Sequence, residues 1–468
     1  MAHPDLPPET GTAPERGRRE GLYGLTTELV SAVRAALADS NGNRVRALVA
    51  PLHEADVADL IERLSGGERR RLVAIAHDVL SGDVLPHVED EIREELIGEI
   101  GAERAAEAIA DMESDDAVAV LEDLDDPQRK EILDAISSEE RAGVAESLTY
   151  PEDSAGRLMQ RELVALPAFW TVGQTIDHMR ETGGDMPDDF YEIYVIDPHH
   201  RPIGRIPLHR LLRTRRPVRL RDIMATDLKA IPAETDQEEV GHVFDQYDLV
   251  SAPVIGESGR LTGVITVDDV VDVIQEEAEE DILRLSGVQE PDIYRAALRT
   301  ATGRFTWLLV NLGTAILASL VIYQFDGTID QMVALAVLMP IVASMGGNAG
   351  TQTMAVAVRA IATKDLTTSN VLRVLWKEVL VGGINGVVFA LLIGVAAAAW
   401  YDNIALGIVI GAAMIINMLV AGSFGLVIPA ALWRLKIDPA TAAGVLLTTV
   451  TDVVGFLAFL GLAGMLLV

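Results

Sequence analysis

The 468-residue chain contains no cysteine, which excludes disulfides, thiolate metal sites and cysteine nucleophiles. The HExxH pattern of zinc peptidases is also missing, because His53-Glu54 is not followed by a second histidine at position 57, and no GxxxxGKS or GxxxxGKT phosphate loop occurs. Residues 1–20 carry four prolines and mixed charge, so we expect no signal peptide there. No arrangement of nucleophile, base and oxyanion donors can be assembled from the motifs that remain. The sequence therefore predicts that the chain is not an enzyme.

Basic side chains are scarce in the first 303 residues. That segment holds 31 Lys and Arg against 63 Asp and Glu, whereas residues 304–468 hold seven of each, so the formal charge of −32 lies wholly in the first segment. Phosphates would be repelled, and we expect no nucleic-acid partner. Cations fit this charge better, although an acidic solvated surface would also account for it. Nothing in the sequence indicates a protein partner.

Long apolar runs are confined to the last part of the chain. Each is long enough to cross a hydrocarbon layer of about 30 Å at about 1.5 Å per residue. They cover approximately residues 304–324, 331–359, 377–401, 403–433 and 439–468. We therefore predict a multidomain membrane protein whose residues 304–468 form five helices in a lipid bilayer.

The connections between these runs alternate in their content of Lys and Arg. Basic residues occur before the first run, between the second and third, and between the fourth and fifth: Arg304; Arg359, Lys364, Arg373 and Lys377; Arg434 and Lys436. The other two connections carry none. Because cytoplasmic loops are enriched in Lys and Arg, we expect a multi-pass protein of the cytoplasmic membrane with a cytoplasmic N-terminus and an extracytoplasmic C-terminus.

Asp452 is the acidic residue that lies deepest in a predicted membrane helix. It follows Pro439 by 13 residues, which places it about 20 Å into the fifth helix. A carboxylate at that depth costs roughly 3 kcal/mol or more unless it meets water, a cation or a partner. Asp452 is therefore a candidate cation or proton site, and the structural alternative is a protonated Asp hydrogen-bonded inside the bundle.

The second run contains three glycines and two amides between Pro340 and Gln352. Glycines permit close helix packing or an unwound turn, and amide and carbonyl oxygens can replace part of a cation's hydration shell. Close packing would explain the glycines but not Asn348 and Gln352. One asparagine lies in each of three other runs, and we expect these to form interhelical hydrogen bonds: Asn311, Asn385 and Asn417.

Residues 25–150 are rich in Ala, Leu, Glu and Asp, and their apolar residues have helical spacing. The segment Asp56–Leu64 recurs 60 positions later as Asp116–Leu124, which predicts an α-helical superhelix built from stacked hairpins. One face of this segment is strongly acidic: Glu113, Asp115, Asp116, Glu122, Asp123, Asp125 and Asp126. Such a cluster repels itself and would bind a divalent ion, although acidic helix faces are usually only solvated surface.

A second repeat follows. Gly156–Met159 is matched 65 positions later by Arg221–Met224, and Tyr194–Asp197 is matched 59 positions later by Pro253–Gly256. Each copy has the pattern of a strand, a helix, two strands around a turn, and a helix. This pattern resembles the cystathionine-β-synthase (CBS) domain pair, with copies at residues 151–216 and 217–274.

A helix of unusual charge then leads toward the membrane. Eight acidic residues fall within fourteen positions, with no basic residue among them: Asp268, Asp269, Asp272, Glu276, Glu277, Glu279, Glu280 and Asp281. Like charges three or four residues apart destabilise an isolated helix, so something positive should offset them. Mg²⁺ and Ca²⁺ accept such oxygen ligands.

Together these parts resemble the MgtE-type magnesium channels and transporters. The resemblance rests on PxxxxxGGNAGTQ from Pro340 to Gln352 and TTxxDxxGF from Thr448 to Phe456, and it covers about residues 25–468. It implies an N-terminal α-helical superhelix, a tandem CBS pair, an acidic connecting (plug) helix and a five-helix transmembrane domain. The corresponding ranges are a disordered tail at 1–24, then 25–150, 151–216, 217–274, 275–303 and 304–468.

The resemblance implies a Mg²⁺-selective channel or transporter that is a homodimer and is closed by Mg²⁺ bound to its acidic cytoplasmic domains. Asp452 would receive hydrated Mg²⁺ in the pore, lined also by Gly346, Gly347, Asn348, Gln352, Thr448 and Thr449. The matching regulatory ligands are Asp236, Glu238, Asp248, Asp269, Asp272, Glu277, Glu280 and Asp281. In the helical domain, Asp115 and Asp116 match the regulatory ligands of the family less closely. Members of the family can also bind ATP at the CBS pair, but the sequence has no compact phosphate motif that would indicate it here.

Two other functions are consistent with the same residues. Asp452 could carry a proton in a secondary transporter, or the path could prefer Mn²⁺ or Co²⁺. From another class, the chain could be a membrane sensor whose CBS pair binds a nucleotide or an ion. The acid inside the membrane and the GGN segment argue against a sensor, because an anchor needs neither.

Overall fold

The computed structural model describes residues 25–182, 186–187, 190–288 and 297–467, without the side chains of residues 138–140. The expected disordered tail at 1–24 and residues 289–296 of the predicted plug segment lie outside the described residues. The chain divides into two compact units, Met1–Ile274 and Gln275–Val468.

Residues 27–147 form a succession of short helices, as the helical periodicity predicts. Polar residues define their ends: before the fourth helix Ser65 N donates to Glu68 Oε2 at 2.8 Å, and before the eighth Asp125 Oδ1 accepts from Gln128 N at 2.9 Å. The helices are α1 (Thr27–Ala38), α2 (Gly42–Val49), α3 (Glu54–Glu62), α4 (Gly66–Ala76), α5 (Asp90–Ile100), α6 (Ala102–Ala110), α7 (Ser114–Glu122), α8 (Asp126–Ala135) and α9 (Ser138–Ser147).

The 60-residue repeat is visible in what α3 and α7 bury. Leu60 and Ile61 of α3 are buried in one hydrophobic cluster, and the equivalent Val120 and Leu121 of α7 are buried in a second. Apolar residues at these spacings form one face of a helix, so each hairpin buries that face against its neighbours. The remaining face of α7 presents its acidic residues.

Two three-stranded sheets follow, each with a parallel and an antiparallel pair. In both sheets a glycine of the last strand pairs with a valine, and a Cβ on either glycine, Gly204 or Gly263, would lie 2.8 Å from a methionine sulfur. The first copy contains α10 (Ala155–Leu158), β1 (Ala165–Pro167), α11 (Val172–Glu181), β2 (Glu192–Ile196), β3 (Pro202–Pro207) and α12 (Leu208–Arg213). The second contains β4 (Ile231–Pro232), α13 (Gln237–Tyr247), β5 (Ser251–Ile255), β6 (Leu261–Thr266) and the start of α14 (Val267–Leu285).

Among its described residues, the second unit holds five helices that are long and apolar enough to cross a membrane, which confirms the predicted number. They are span 1 (Ala297–Tyr323), span 2 (Ala334–Ala362), span 3 (Val371–Tyr401), span 4 (Ile404–Arg434) and span 5 (Pro439–Leu466), with a short helix (Asp326–Gln331) between spans 1 and 2. Span 4 is the most buried of the five and packs against spans 2, 3 and 5.

Small residues allow these helices to approach closely. A Cβ on Gly407 of span 4 would lie 2.4 Å from the carbonyl oxygen of Gly394 in span 3, so only glycine fits there. Span 2 remains α-helical through Pro340 and the GGN segment. The glycines of span 2 were expected to permit either close helix packing or an unwound turn. The structure shows a continuous helix and therefore no unwound turn.

Candidate functional site

Asp452 lies in the middle of span 5 and is partly exposed, while Thr451 beside it is fully buried. No ion pair to Asp452 forms among the described residues of this chain. One turn earlier, Thr448 Oγ1 donates to Gly444 O at 2.9 Å and Thr449 Oγ1 donates to Val445 O at 2.7 Å. Because both hydroxyl groups donate their hydrogen bonds within their own helix, the lone pairs of their oxygens remain available to a cation.

The candidate pore residues of span 2 fall on different faces. Gly346 is buried, and a Cβ on it would overlap the side chain of Asn417. A Cβ on Gly347 would meet nothing within 4 Å. Asn348 and Gln352 are exposed in this single chain, and Asn348 Nδ2 reaches Ser344 Oγ at 3.3 Å within the same helix. Exposed amides in a membrane span need water or another polar surface.

In the cytoplasmic unit, Asp115 of α7 meets Asp269 of α14 although 154 positions separate them. Asp115 is only 8% exposed, and the two carboxyl groups share a hydrogen bond. Burial is the main cause that raises the pKa of Asp115 well above its ordinary value and that of Asp269 to about 6. Thr266 Oγ1 donates to Asp269 Oδ2 at 2.7 Å and partly offsets this rise.

Other acids surround this pair. Partial burial, followed by the charges of neighbouring carboxylates, raises the pKa of Glu113 to about 7 and that of Asp116 to about 6. Glu162, which contributes to the rise at Glu113, is held by Ser114, whose hydroxyl donates to Glu162 Oε2 at 2.8 Å. The acidic face of α7 is therefore partly buried, and not simply solvated.

The donor set fits a hydrated cation better than a fully enclosed one. Among the residues that the structure describes, no group of three or more His, Asp and Glu side chains converges on one ion position. Mg²⁺ usually keeps several waters and needs only one or two carboxylates. Asp115 and Asp269 supply two carboxylates in contact, which meets that requirement.

The other candidate regulatory residues are dispersed. Asp236 and Glu238 begin α13, where Asp236 Oδ1 accepts from Glu238 N at 3.0 Å, whereas Asp248 caps its other end. All three are exposed. The length of α13 separates Asp248 from the first two by about 16 Å. Asp272 is also exposed, in the part of α14 that precedes Gln275.

Within the second unit, the end of α14 contacts the start of span 5. Arg284 pairs with Glu280 on its own helix and donates to Asp438 Oδ2 at 3.2 Å. Burial first, and the charge of Asp438 second, raise the pKa of Asp281. Glu277 is half-buried one turn earlier on α14.

Sequence analysis missed two acids that the structure places in polar networks. Asp438 caps span 5 by accepting from Ala440 N at 2.8 Å, and its other oxygen accepts from Arg284. Glu378 lies near the start of span 3, is 8% exposed and accepts a hydrogen bond from Thr353 Oγ1 at 3.1 Å. The sequence signal here is Gly422 of span 4: a Cβ on it would lie 2.7 Å from the backbone carbonyl oxygen of Glu378, so glycine allows span 4 to approach span 3 closely.

A basic cavity lies at the first CBS copy, in an otherwise acidic unit. Its volume is about 320 Å³, and it is lined by Arg205, Pro207, His209, Arg210, Arg213, Thr214 and Ala225. Arg205 is partly neutralised by Glu192, whose Oε1 lies 2.7 Å away. The remaining cations give this cavity the chemistry of an anion site.

Known protein families match three segments of the chain. The matches are MgtE, described as a divalent cation transporter, at residues 339–462; the MgtE intracellular N domain at 52–153; and the CBS domain at 220–276. Magnesium transporter MgtE of Thermus thermophilus is 35% identical over 321 residues, which cover 68% of this chain and 71% of that protein. The chain belongs to the MgtE family. This confirms the family resemblance, the fold class and the expectation that the chain is not an enzyme.

The relation to other MgtE proteins extends beyond one domain. Magnesium transporter MgtE of Enterococcus faecalis is 33% identical over 322 residues, 69% of this chain and 71% of that protein, and that of Bacillus subtilis is 28% identical over 441 residues, 93% and 97%. A crystal structure of the cytosolic domain of the Mg²⁺ channel MgtE in complex with ATP is 30% identical, with 52% of this chain and 99% of that one covered and a TM-score of 0.48. The MgtE chain described here is a membrane protein of the same architecture as its family.

Proposed function

We propose that this chain is a Mg²⁺ channel of the cytoplasmic membrane. The observation that carries the proposal is Asp452, a partly exposed carboxylate in the middle of span 5 of a protein whose relatives are magnesium transporters. A charge at that depth is retained where it meets water or a cation. Magnesium ions are the transported substrate, and Asp452 attracts them with most of their hydration shell in place.

The path forms between two copies of the chain. Asn348 and Gln352 of span 2 are exposed on one copy, which is unfavourable against lipid. A second copy would give these amides a water-filled path and would bring a second Asp452 to the same depth. Two carboxylates hold a divalent ion better than one. The basic connections between the spans support a cytoplasmic N-terminus and an extracytoplasmic C-terminus.

Flux into liposomes tests the transport function. The full-length protein should admit Mg²⁺ without proton movement, and Asp452→Asn should abolish most of that flux while Asp402→Asn, which changes an acid at the end of span 3, should not. Flux that requires a proton gradient would show a coupled transporter. A preference for Mn²⁺ or Co²⁺ would show a broader divalent-cation path, and no flux by the intact protein would favour a membrane sensor.

The buried acids at Asp115 and Asp269 support closure of the channel by cytoplasmic Mg²⁺. Each of the two carboxyl groups lies close to other acids, so burial and repulsion between like charges oppose ionisation of the pair unless a positive charge offsets them. A divalent cation supplies the positive charge that lets α7 and α14 stay together. When Mg²⁺ is scarce, the carboxylates repel and the contact opens.

Varying Mg²⁺ on the side of the cytoplasmic domains tests this gate. Flux should fall as Mg²⁺ rises from micromolar to tens of millimolar, and Asp269→Asn should require more Mg²⁺ for the same closure. Glu107→Gln, which removes an exposed charge from α6, is the matched control. If wild-type flux does not respond to Mg²⁺, the proposed pore is retained, but Asp115 and Asp269 have only a structural role.

The remaining acids of the regulatory set would act at separate places. We assign Glu277, Glu280 and Asp281 to a contact with Asp438 at the start of span 5, since Arg284 already joins two of these residues. Asp236, Glu238, Asp248 and Asp272 are exposed and would bind ions only weakly without a further partner. Single Asp→Asn and Glu→Gln variants of each, measured by Mg²⁺ dependence of flux, separate the two groups.

ATP binding is a second proposed property, and the basic cavity of the first CBS copy favours it. Arg210, Arg213 and His209 offer several donors to a polyphosphate in a volume of about 320 Å³. Calorimetry of the full-length protein with ATP should show binding that Arg210→Met weakens, whereas Arg201→Met outside the cavity should not. Unchanged binding in Arg210→Met would exclude this cavity as the site.

A further inference from the structure

Asn417 lies in span 4, and its side chain is fully buried. Nδ2 donates to the backbone carbonyl of Val342 in span 2 at 2.9 Å. This confirms the interhelical hydrogen bond expected from the sequence. The other amide atom, Oδ1, is buried and has no hydrogen-bond partner among the described residues.

Two glycines on two different helices provide the space that this amide occupies. A Cβ on Gly346 of span 2 would lie 2.1 Å from Asn417 Nδ2, and a Cβ on Gly455 of span 5 would lie 2.7 Å from the same atom. Contacts of that length would force the helices apart. The amide of span 4 is therefore held between span 2 and span 5, and its size sets how closely each of them approaches span 4.

Gly346 is itself a candidate pore residue, and both glycines lie close in sequence to the polar residues of the proposed path. Gly346 precedes Asn348 by two residues, and Gly455 follows Asp452 by three, which is less than one helical turn in either case. We propose that Asn417 is a positioning residue that fixes the spacing and register of span 2 against span 5, and thereby the preference of the path for Mg²⁺. The proposal that Asn417 sets the spacing between span 2 and span 5 depends only on the geometry. The proposal that this spacing sets a preference for Mg²⁺ rests on the proposed transport function.

An apolar side chain of similar volume would fill the same space without leaving a buried oxygen unpaired. An unpaired buried acceptor lowers stability, and the loss is larger away from water. What the amide adds is the directional bond to Val342 O, which sets the register of the two helices as well as their distance. Because Mg²⁺ passes with its tightly held waters, the width between span 2 and span 5 decides whether it is preferred over Ca²⁺.

The first test compares Mg²⁺ and Ca²⁺ flux for Asn417→Leu in liposomes, per amount of folded full-length protein. We expect the ratio of Mg²⁺ to Ca²⁺ flux to fall by about fivefold, the factor that corresponds to one ordinary hydrogen bond. Asn385→Leu makes the same change at an exposed asparagine of span 3 and should keep the wild-type ratio. A merely structural role would lower the amount of folded protein and leave the ratio unchanged, which would overturn the proposal.

A double variant tests the contact with span 5. Gly455→Ala should impair Mg²⁺ flux, because its methyl group meets the Asn417 amide, and adding Asn417→Ala should restore part of the flux by vacating that space. Effects of the two changes that simply add would show that they do not share one contact and would contradict the proposal.

A cross-link tests the spacing without any transport. The chain has no cysteine, so Gly350→Cys with Leu447→Cys can form only one disulfide within a chain. That disulfide joins span 2 to span 5, where a Cβ on Gly350 would lie 3.0 Å from the Leu447 side chain, and gel mobility separates it from cross-links between two chains. The bond should form several-fold faster in the wild-type background than with Asn417→Leu added. Equal rates would refute the positioning role. If wild-type protein shows no Mg²⁺ flux, the transport proposal fails, and the cross-link still decides the spacing.

Discussion

Arg284 at the end of α14 reaches Asp438 at the start of span 5, with 3.2 Å between Nη1 and Oδ2. The same Asp438 carboxylate caps span 5, because Oδ1 accepts from Ala440 N at 2.8 Å. Leu285 beside Arg284 packs against an apolar cluster of spans 2, 4 and 5 that includes Leu447. Because of these contacts, a displacement of the end of α14 would also displace span 5, the helix that carries Asp452.

Replacing Arg284 should change gating more than folding. Arg284→Met removes the cation between Glu280 and Asp438, and a partly exposed pair of this kind contributes about 0.2–1 kcal/mol. We expect the flux at micromolar Mg²⁺ to rise by a few-fold, because less holds α14 against span 5 when Mg²⁺ is scarce. Lys436→Met removes an exposed cation from the connection between span 4 and span 5, which also contains Asp438, and should leave the flux unchanged. Equal effects of the two variants would argue against the contact.

Acid should stabilise the cytoplasmic unit when Mg²⁺ is absent. Burial raises the pKa of Glu113 to about 7 and of Asp116 and Asp269 to about 6, so these groups hold protons in the folded state at pH values where the unfolded chain has lost them. The stabilisation that these three groups contribute is therefore fully present below their pKa values in the unfolded chain and is lost as the pH rises through about 6 to 7. Mg²⁺ should cancel this loss, since it stabilises the ionised form.

Thermal unfolding of the full-length protein at several pH values, with EDTA or with Mg²⁺, measures this dependence. Asp115→Asn should flatten the pH profile in EDTA, whereas His87→Gln should not. Other charged groups that influence this cluster are Asp83, Arg93, Glu162 and Asp268. A pH profile in EDTA that Asp115→Asn leaves unchanged would contradict the assignment.

Glu378 should tolerate an amide but not an apolar residue. Its Oε2 accepts from Thr353 Oγ1 at 3.1 Å in a buried site between spans 2 and 3. Glu378→Gln keeps an acceptor, whereas Glu378→Leu leaves the hydroxyl without it and should lower the free energy of unfolding by about 1–3 kcal/mol. Thermal unfolding in detergent compares the two. If Glu378→Gln is as damaging as Glu378→Leu, the charge matters and not the hydrogen bond.

Arg157 should hold the helical domain against α10, which packs in the hydrophobic cluster of the second CBS copy. Arg157 Nη1 lies 2.5 Å from Glu122 Oε2 at the end of α7, and the same guanidinium donates to Tyr150 O at 3.0 Å and Leu148 O at 3.1 Å. Arg157→Met leaves these acceptors unpaired, so we expect a loss of about 1–3 kcal/mol in urea unfolding. Arg141→Met, at an exposed ion pair of α9, should lose less than half as much. Equal losses in the two variants would show that the contacts of Arg157 contribute no more to stability than an exposed ion pair does.

Patterns along the chain were sufficient for the architecture. Run length and hydropathy identified five spans, because a membrane helix must satisfy its own backbone over a fixed thickness. The 60-residue repeats identified the helical domain and the CBS copies, because equivalent positions bury the same face, as Leu60 and Val120 do. The depth of Asp452 followed from helical rise alone.

The candidate sites depended on contacts between distant segments. Asp115 and Asp269 are both acids on helix faces that look solvated in sequence, and only the packing of α7 on α14 buries them together. Asp248 is equally acidic, yet the length of α13 keeps it apart from Asp236. Charge can be read from the sequence, but its burial depends on which elements pack together.

By itself, the sequence determined the number of spans, the repeats and the position of Asp452, since helical period, hydropathy and repeat spacing are local properties. Only the tertiary structure decided that Asn417 fits between Gly346 and Gly455, that Glu378 is enclosed, and that Arg284 meets Asp438. These relations join residues on different helices, and their free energy comes from close packing and paired charges that no single segment contains.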